Sequence, residues 1–176
     1  MSRIELLLAV QEIDATVRKL KKELSDLPRR KADEEARLND ALKRQMALES
    51  AEERNQTACD AAAAEIADIR AFIAEIDERL AEVGGELEKT SAARAEAAAK
   101  VPPAQLRLYE RLAISHHPTM VKLEGGKSQG YVCSGCRLAQ PPSVAHKVTH
   151  LHKFDAEDNV DAMELVTCGM CGRILY

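Results

Sequence analysis

The chain is short of aromatic residues, and this shortage limits the kind of core that it can build. Its 176 residues include no tryptophan, two phenylalanines and three tyrosines, so aromatic residues reach only 3%. Such side chains bury large apolar areas in compact cores. Apolar residues still reach 45% because alanine is abundant, and charged residues make up 31%. This mixture is typical of long helices and argues against a rounded enzyme core.

Long hydrophobic runs are also absent. The stretch LLLAV at 6–10 is too short to span a membrane. It lies between Glu5 and Glu12, so it does not form the apolar part of a signal peptide either. We therefore expect a cytoplasmic protein without membrane contact. In a reducing compartment, paired cysteines are more often metal ligands or redox groups than disulfides.

Proline and glycine are scarce in only one part of the chain. Residues 1–100 contain one proline and two adjacent glycines, whereas residues 101–176 contain five prolines, six glycines and four of the five cysteines. We therefore place a domain boundary near KVPPAQ at 100–105. The first domain has 17 basic and 22 acidic residues, and the second has 8 and 7. Neither balance predicts avid nucleic-acid binding.

Two stripes of apolar residues in the first domain repeat every 3.5 residues, which is the pattern of a coiled-coil seam. One stripe runs from Leu6 to Leu27 and the other from Ile66 to Leu87, with a more polar stretch between them. We predict an antiparallel helical hairpin with its tip near 45–56, in which Leu6 lies opposite Leu87 and Leu27 opposite Ile66. The alternative is one long helix that forms a homodimer through both stripes.

Three sites along these stripes modify the prediction. Pro28 should kink or restart the first helix, because proline lacks the N–H that an inner turn requires. The pair Gly84-Gly85 should loosen the second helix near its base. Cys59 falls on the seam register, and we interpret it as a small apolar seam residue.

The remaining cysteines form two C-x-x-C pairs that are separated by 31 residues: Cys133, Cys136, Cys168 and Cys171. In a reducing compartment this pattern predicts a tetrahedral site in which four cysteines hold one structural zinc ion. Two intervening residues allow a tight turn to direct both sulfurs at one ion. The glycines at 135, 169 and 172 suit turns that need a positive φ.

Two other uses of these cysteines compete with the structural zinc site. One is a redox enzyme that uses the C-x-x-C pairs. The other is a metal site built from Cys133, Cys136, His146 and His150, which leaves the second cysteine pair without a role. A catalytic zinc ion usually keeps an open coordination position, and four thiolates leave none. We therefore expect no catalytic residues.

The segments around the cysteines indicate the rest of the second domain. PPAQLRLYERLAI at 102–114 predicts a short helix with proline in its first turn. LEGGKSQGYV at 123–132 predicts a hairpin that leads into the first pair, and RILY at 173–176 predicts a return strand. The predicted fold class is mainly α: a long antiparallel helical hairpin (coiled coil) followed by a small β zinc ribbon.

These motifs resemble a bacterial family of C4-type zinc-ribbon, coiled-coil proteins, some of which serve flagellar or type III secretion systems. The resemblance rests on LLLAVQEIDATVRKLKKELSDLP, YERL, CSGC, PP and the terminal CGMCGRILY, and it extends over the whole chain. It implies a non-enzymatic regulatory adaptor with the four cysteines as zinc ligands. Members are expected to bind the nitrogen-type alternative sigma factor, secretion components or messenger RNA. This coil is shorter than is usual in the family, and the interval between the cysteine pairs is longer.

We therefore expect an adaptor that acts through protein–protein interaction. The alternative is an RNA- or DNA-binding protein that uses the zinc ribbon. Basic residues near the knuckles are the candidate contacts for either partner: Arg137, Lys147, Lys153 and Arg173. Tyr131 and Tyr176 could stack on bases of a nucleic acid.

Overall fold

The computed structural model describes residues 2–51, 55–126, 130–154 and 165–176. Its helices are α1 (Arg3–Glu49), α2 (Gln56–Ala99), α3 (Pro103–Ala113) and α4 (Pro142–Phe154). Its strands are β1 (Met120–Val121), β2 (Leu123–Gly126), β3 (Gly130–Cys133), β4 (Ala139–Gln140) and β5 (Ile174–Leu175). The predicted fold class is confirmed, because two long helices form a hairpin and a small region with strands follows. The alternative prediction, one continuous helix through both stripes, is wrong because α1 ends at Glu49 and α2 begins at Gln56.

Polar side chains mark where both long helices begin. The Ser2 hydroxyl accepts a hydrogen bond from the Glu5 amide at 3.1 Å, and the Glu5 carboxylate accepts one from the Ser2 amide at 2.7 Å. This reciprocal pair is a capping box. At the start of α2, the Asn55 side-chain oxygen accepts a hydrogen bond from the Ala58 amide at 3.2 Å. Each cap satisfies amides that the first helical turn leaves without a partner.

The first helix continues through Pro28, so the restart predicted after Leu27 is wrong. Proline removes one internal hydrogen bond, but Leu27 remains 4% exposed in the seam. Burial of Leu27 before the proline and of Ala41 further along the same helix stabilises the continuous helix. Gly84 and Gly85 also lie inside α2, and a Cβ added at either position meets nothing within 4 Å. The predicted loosening at these glycines stays a prediction.

The packing divides the chain into two compact units. One unit is Arg18–Lys89, and the other combines Met1–Val17 with Thr90–Tyr176. In the unit Arg18–Lys89, Leu20 and Leu27 of α1 pack with Ile76 and Val83 of α2. Closer to the helix ends at Glu49 and Gln56, the buried set contains Ala41, Ile66 and Ile69. Residues 52–54 of the predicted tip lie outside the described residues. The boundary predicted near residue 100 stays a prediction.

The observed pairing of the two helices differs from the predicted one. Leu27 packs with Ile76 and Val83, whereas the prediction placed it opposite Ile66. Ion pairs fit the observed alignment, because Lys31 contacts Asp77 at 2.6 Å. A heptad pattern defines the buried face of each helix, but it repeats identically every seven residues. The stripes alone therefore cannot select one alignment along the helix axis.

The unit formed by Met1–Val17 and Thr90–Tyr176 has a separate core. Residues from the start of α1 and from the C-terminal part of the chain build this core together. Ile4, Leu7 and Val10 pack with Tyr109 of α3 and Ile174 of β5. The predicted contact of Leu6 with Leu87 is therefore wrong, because the first stripe packs partly in this core. The short helix predicted at 102–114 is confirmed as α3, with Tyr109 completely buried.

The strands form two small sheets. Antiparallel β2, β3 and β4 form one sheet, and β1 pairs in parallel with β5 in the other. Gly125 has a φ of 107°, and a Cβ there would overlap the carbonyl oxygen of Gly130 on the neighbouring strand. Only glycine permits that close approach. The hairpin predicted at 123–132 is confirmed, although residues 127–129 lie outside the described residues. Within the described residues, no helix is both long and apolar enough to cross a membrane.

Candidate metal centre

Both cysteine pairs lie in turns with the same backbone geometry. In the first turn, the Arg137 amide donates to the carbonyl oxygen of Cys133 at 2.8 Å. In the second, the Gly172 amide donates to the carbonyl oxygen of Cys168, also at 2.8 Å. The donating residue has a left-handed backbone in both turns, with φ of 61° at Arg137 and 73° at Gly172. Two distant segments of sequence therefore form matching knuckles.

The glycines in these knuckles serve purposes that the sequence analysis identified only in part. The positive φ expected at Gly172 is observed, whereas Gly135 and Gly169 lack it. Gly135 is required for space, because a Cβ there would lie 2.9 Å from Cδ of Arg173 and 3.1 Å from Cγ1 of Val121. No local sequence signal predicts this contact, since it joins residues of separate segments.

The knuckles bring all four cysteine sulfurs into one cluster. The ligand atoms lie within 4.8 Å of one another. Sγ of Cys133 is 3.8 Å from Sγ of Cys171, and Sγ of Cys136 is 3.8 Å from Sγ of Cys168. A zinc ion with Zn–S bonds of about 2.3 Å requires tetrahedron edges of about 3.8 Å. The donor set therefore fits a tetrahedral metal ion, and the four cysteines are positioned to bind one.

The cluster lies partly inside a small apolar core. Cys133 and Cys168 are completely or almost completely buried and pack with Val121, Val148 and Leu175. Cys136 and Cys171 are half-buried at the edge of the same core. The sulfurs of Cys133 and Cys168 are therefore shielded from solvent. A metal ion can reach the cluster from the side of Cys136 and Cys171.

Protonation differs between two of the thiols when no metal is bound. Burial raises the pKa of Cys133 to about 12, although the amides of Cys136 and Gly135 donate to its sulfur and oppose that rise. Burial also acts on Cys171, but the backbone N–H and the side chain of Arg173 donate to its sulfur and lower the pKa to about 7. Metal ions bind the thiolate form, so binding displaces the proton of Cys133.

The alternative site with two histidines is not formed among the described residues. His146 and His150 lie one turn apart on α4 with ring centroids 5.9 Å apart, and the metal-competent cluster contains only cysteines. With Tyr131, these histidines line a cavity of about 790 Å³ between α4 and the sheet. The structure therefore assigns His146 and His150 to a different surface from the four sulfurs.

Several predicted contact residues are already engaged within the protein. Arg137 pairs with Glu124 at 3.2 Å on the surface. Tyr176 packs against the core of its unit, where burial and then the nearby Glu12 raise the pKa of its phenol. Lys147 is exposed on α4, whereas the Lys153 side chain lies outside the described residues. Arg137 therefore already has an acidic partner, and Tyr176 is part of a core.

Two sets of polar contacts, which the sequence analysis missed, connect the base of the helical hairpin to later parts of the same unit. One reaches the region that begins at β1 and holds both cysteine pairs, which we call the ribbon, and the other reaches α3. The Gln11 side chain of α1 accepts from the Met120 amide at 2.6 Å and donates to the Met120 carbonyl at 3.2 Å. The Tyr109 hydroxyl donates to the Asp14 carboxylate at 2.9 Å, and Nε of Arg94 contacts the same carboxylate at 3.1 Å. These bonds join residues that lie 80 to 109 positions apart.

Comparison with known proteins agrees with this architecture. Residues 8–117 match the profile of the CT398-like coiled coil hairpin domain. The chain belongs to the CT398-like coiled coil hairpin domain family. The chain has no match among curated proteins.

Comparison with solved structures gives three matches, each with a TM-score below 0.5. CT398 from Chlamydia trachomatis is 18% identical with a TM-score of 0.46, and the match covers 99% of this chain and 82% of that one. HP0958 from Helicobacter pylori is 18% identical with a TM-score of 0.36, covering 99% and 86% of the two chains. A protein from Mycobacterium smegmatis is 16% identical with a TM-score of 0.36, covering 98% and 84%.

Proposed function

We propose that this protein is a non-enzymatic adaptor in which one zinc ion maintains the shape of a binding module. The observation that supports it most strongly is the sulfur cluster, with two S–S separations of 3.8 Å that equal the edges of a zinc–thiolate tetrahedron. Four thiolates around the ion would occupy every coordination position. A zinc ion held in this way has a structural role and cannot bind or activate a substrate.

The protein partner would contact the helical hairpin, the ribbon or both. In the unit Arg18–Lys89, the seam residues face each other, and many charged side chains outside the seam are exposed on the surface that a partner would meet. Coiled-coil surfaces of this kind select partners mainly through charge. The family resemblance makes the nitrogen-type sigma factor and flagellar or type III secretion components the first partners to test.

Metal content and thiol reactivity test the proposal directly. We expect purified protein to contain about one zinc ion per chain, with the four ribbon cysteines slow to react with a thiol reagent until a chelator is added. Cys59 supplies an internal control, because it is buried in the unit Arg18–Lys89 and should not respond to the chelator. Metal-free protein with fast-reacting ribbon cysteines would instead support the redox alternative.

Binding measurements separate the adaptor from the nucleic-acid alternative. We expect direct, zinc-dependent binding to a purified sigma factor or secretion component, and weak RNA binding that does not depend on the ribbon. Strong binding to RNA or single-stranded DNA that falls steeply with salt would contradict this expectation. Loss of that binding in Arg137→Ala together with Lys147→Ala would assign it to the ribbon.

A further inference from the structure

Arg173 follows the second cysteine pair, and its side chain contacts three separate parts of the ribbon. It lies two residues after Cys171, and its backbone N–H and side chain act on that sulfur to lower the Cys171 pKa. Its Nε donates to the carbonyl oxygen of Pro118 at 3.0 Å. Its Cδ occupies the space that Gly135 leaves open in the other knuckle. The Arg173 side chain is half-buried, and these contacts limit the conformations that it can adopt.

The charge of the arginine complements the charge of the metal centre. Four thiolates and one divalent ion form a complex with a formal charge of about −2. A guanidinium in contact with a ligand sulfur offsets part of that charge and donates hydrogen bonds to it. Arg137 directly follows the first pair, but its side chain is 75% exposed and pairs with Glu124. The two arginines therefore have the same charge and different surroundings.

We propose that Arg173 is the positioning residue of the metal centre, which holds Cys171 toward the ion and locks the two knuckles together. This inference rests on the proposed zinc site. Gly135 is part of the same arrangement, because any side chain there would push Arg173 away from Cys171. The requirement for glycine in CSGC thus depends on an arginine that lies 38 residues later in the chain.

Zinc affinity of the full chain tests this role, measured by competition with a chromogenic chelator. We expect Arg173→Ala to bind zinc about 10- to 100-fold more weakly, the usual effect of removing an outer-shell partner. The matched control is Arg137→Ala, which removes the same charge near the same site and should change affinity less than about twofold. Equal affinities for both variants would overturn the proposal.

The absorption spectrum of the cobalt-loaded protein distinguishes a contact with a ligand sulfur from a general loss of packing. In the cobalt-loaded protein, the sulfur-to-metal charge-transfer band should shift in Arg173→Ala and remain at its wild-type position in Arg137→Ala. Of these two side chains, Arg173 lies beside a ligand sulfur, whereas Arg137 pairs with Glu124 on the surface. Arg173→Lys retains the charge and should recover part of the affinity. An unshifted band in Arg173→Ala would count against a contact with the ligand.

The contact between Gly135 and Arg173 is tested with Gly135→Ala in two backgrounds, wild type and Arg173→Ala. Gly135→Ala should weaken zinc binding in the wild-type background and weaken it less in the Arg173→Ala background, since the clash with Cδ is then removed. The remaining effect would come from Val121. Additive effects of the two substitutions would contradict the proposed contact. Failure of the wild-type chain to bind zinc would contradict the proposed function itself.

Discussion

The two units of the molecule differ in how their central contacts are arranged. In the unit Arg18–Lys89, burial is spread along two helices through many aliphatic residues, each of which contributes a small part. The other unit contains an apolar core and, in the ribbon, four sulfur atoms from two distant turns that converge within 4.8 Å. A distributed seam tolerates the loss of one residue, whereas a ligand cluster does not. Substitutions in the two units should therefore differ in both the size and the extent of their effects.

The largest effect is expected from removing one ligand. Cys168→Ser should abolish tight zinc binding and unfold the ribbon, because structural zinc contributes about 10–16 kcal/mol in small zinc domains. The helices of the unit Arg18–Lys89 should persist, which circular dichroism and amide hydrogen exchange will show. Collapse of most of the helical signal in this variant would contradict the independence of the two units.

A seam substitution should produce the converse result. Leu27→Ala should destabilise the unit Arg18–Lys89 by about 2–5 kcal/mol, because a buried leucine leaves a cavity. Denaturant unfolding followed at the helical signal measures this loss. The control is Met46→Ala in the same helix, whose side chain is 69% exposed and should matter little. A change in zinc affinity of Leu27→Ala would show that the units are coupled.

Acid should weaken the ribbon while the helical seam persists. Zinc competes with protons for the thiolates, so zinc affinity should fall as the pH decreases. Cys133 releases a proton on binding throughout this range because its pKa is raised to about 12. Below about pH 7, Cys171 also becomes protonated in the metal-free site, so the fall should steepen. Chelator competition from pH 8 to 6 measures this slope, and a pH-independent affinity would contradict thiolate ligation.

A smaller effect is expected at the contact between the ribbon and the hairpin base. Gln11→Ala removes both hydrogen bonds to Met120, whose side chain is 1% exposed. An unsatisfied buried group of this kind costs about 1–3 kcal/mol. Thermal unfolding should report the loss, with Gln45→Ala as the control in the same helix, because the Gln45 side chain makes only a surface hydrogen bond to Glu49. Equal stability of both variants would mean that Gln11 does not anchor the ribbon.

The smallest effect is expected from the exposed ion pairs that flank the helical seam. Arg79 contacts Glu23 at 2.7 Å and Glu82 at 3.0 Å, but solvent screens these exposed charges. Arg79→Gln should shift the midpoint of thermal unfolding only slightly, and added salt should remove the difference. A large shift that persists in high salt would show that ion pairs contribute more to the alignment of the helices than burial does.

Sequence patterns predicted those features that depend on short-range spacing. The cysteine spacing identified all four sulfurs, and the two apolar stripes identified the hairpin, because each motif fixes local backbone geometry. The alignment of the helices was wrong because heptads repeat without marking their order. The Gln11 bonds to Met120 and the space at Gly135 could not be predicted, since they join residues that only the tertiary fold brings together.

X-ray absorption at the zinc edge on protein purified without added metal tests the central claim most directly. The account predicts one zinc ion per chain, surrounded by four sulfur neighbours at about 2.3 Å and no nitrogen or oxygen ligand. A metal-free protein, or a zinc ion with a water or histidine ligand in place of one cysteine, would contradict a closed structural site made from Cys133, Cys136, Cys168 and Cys171.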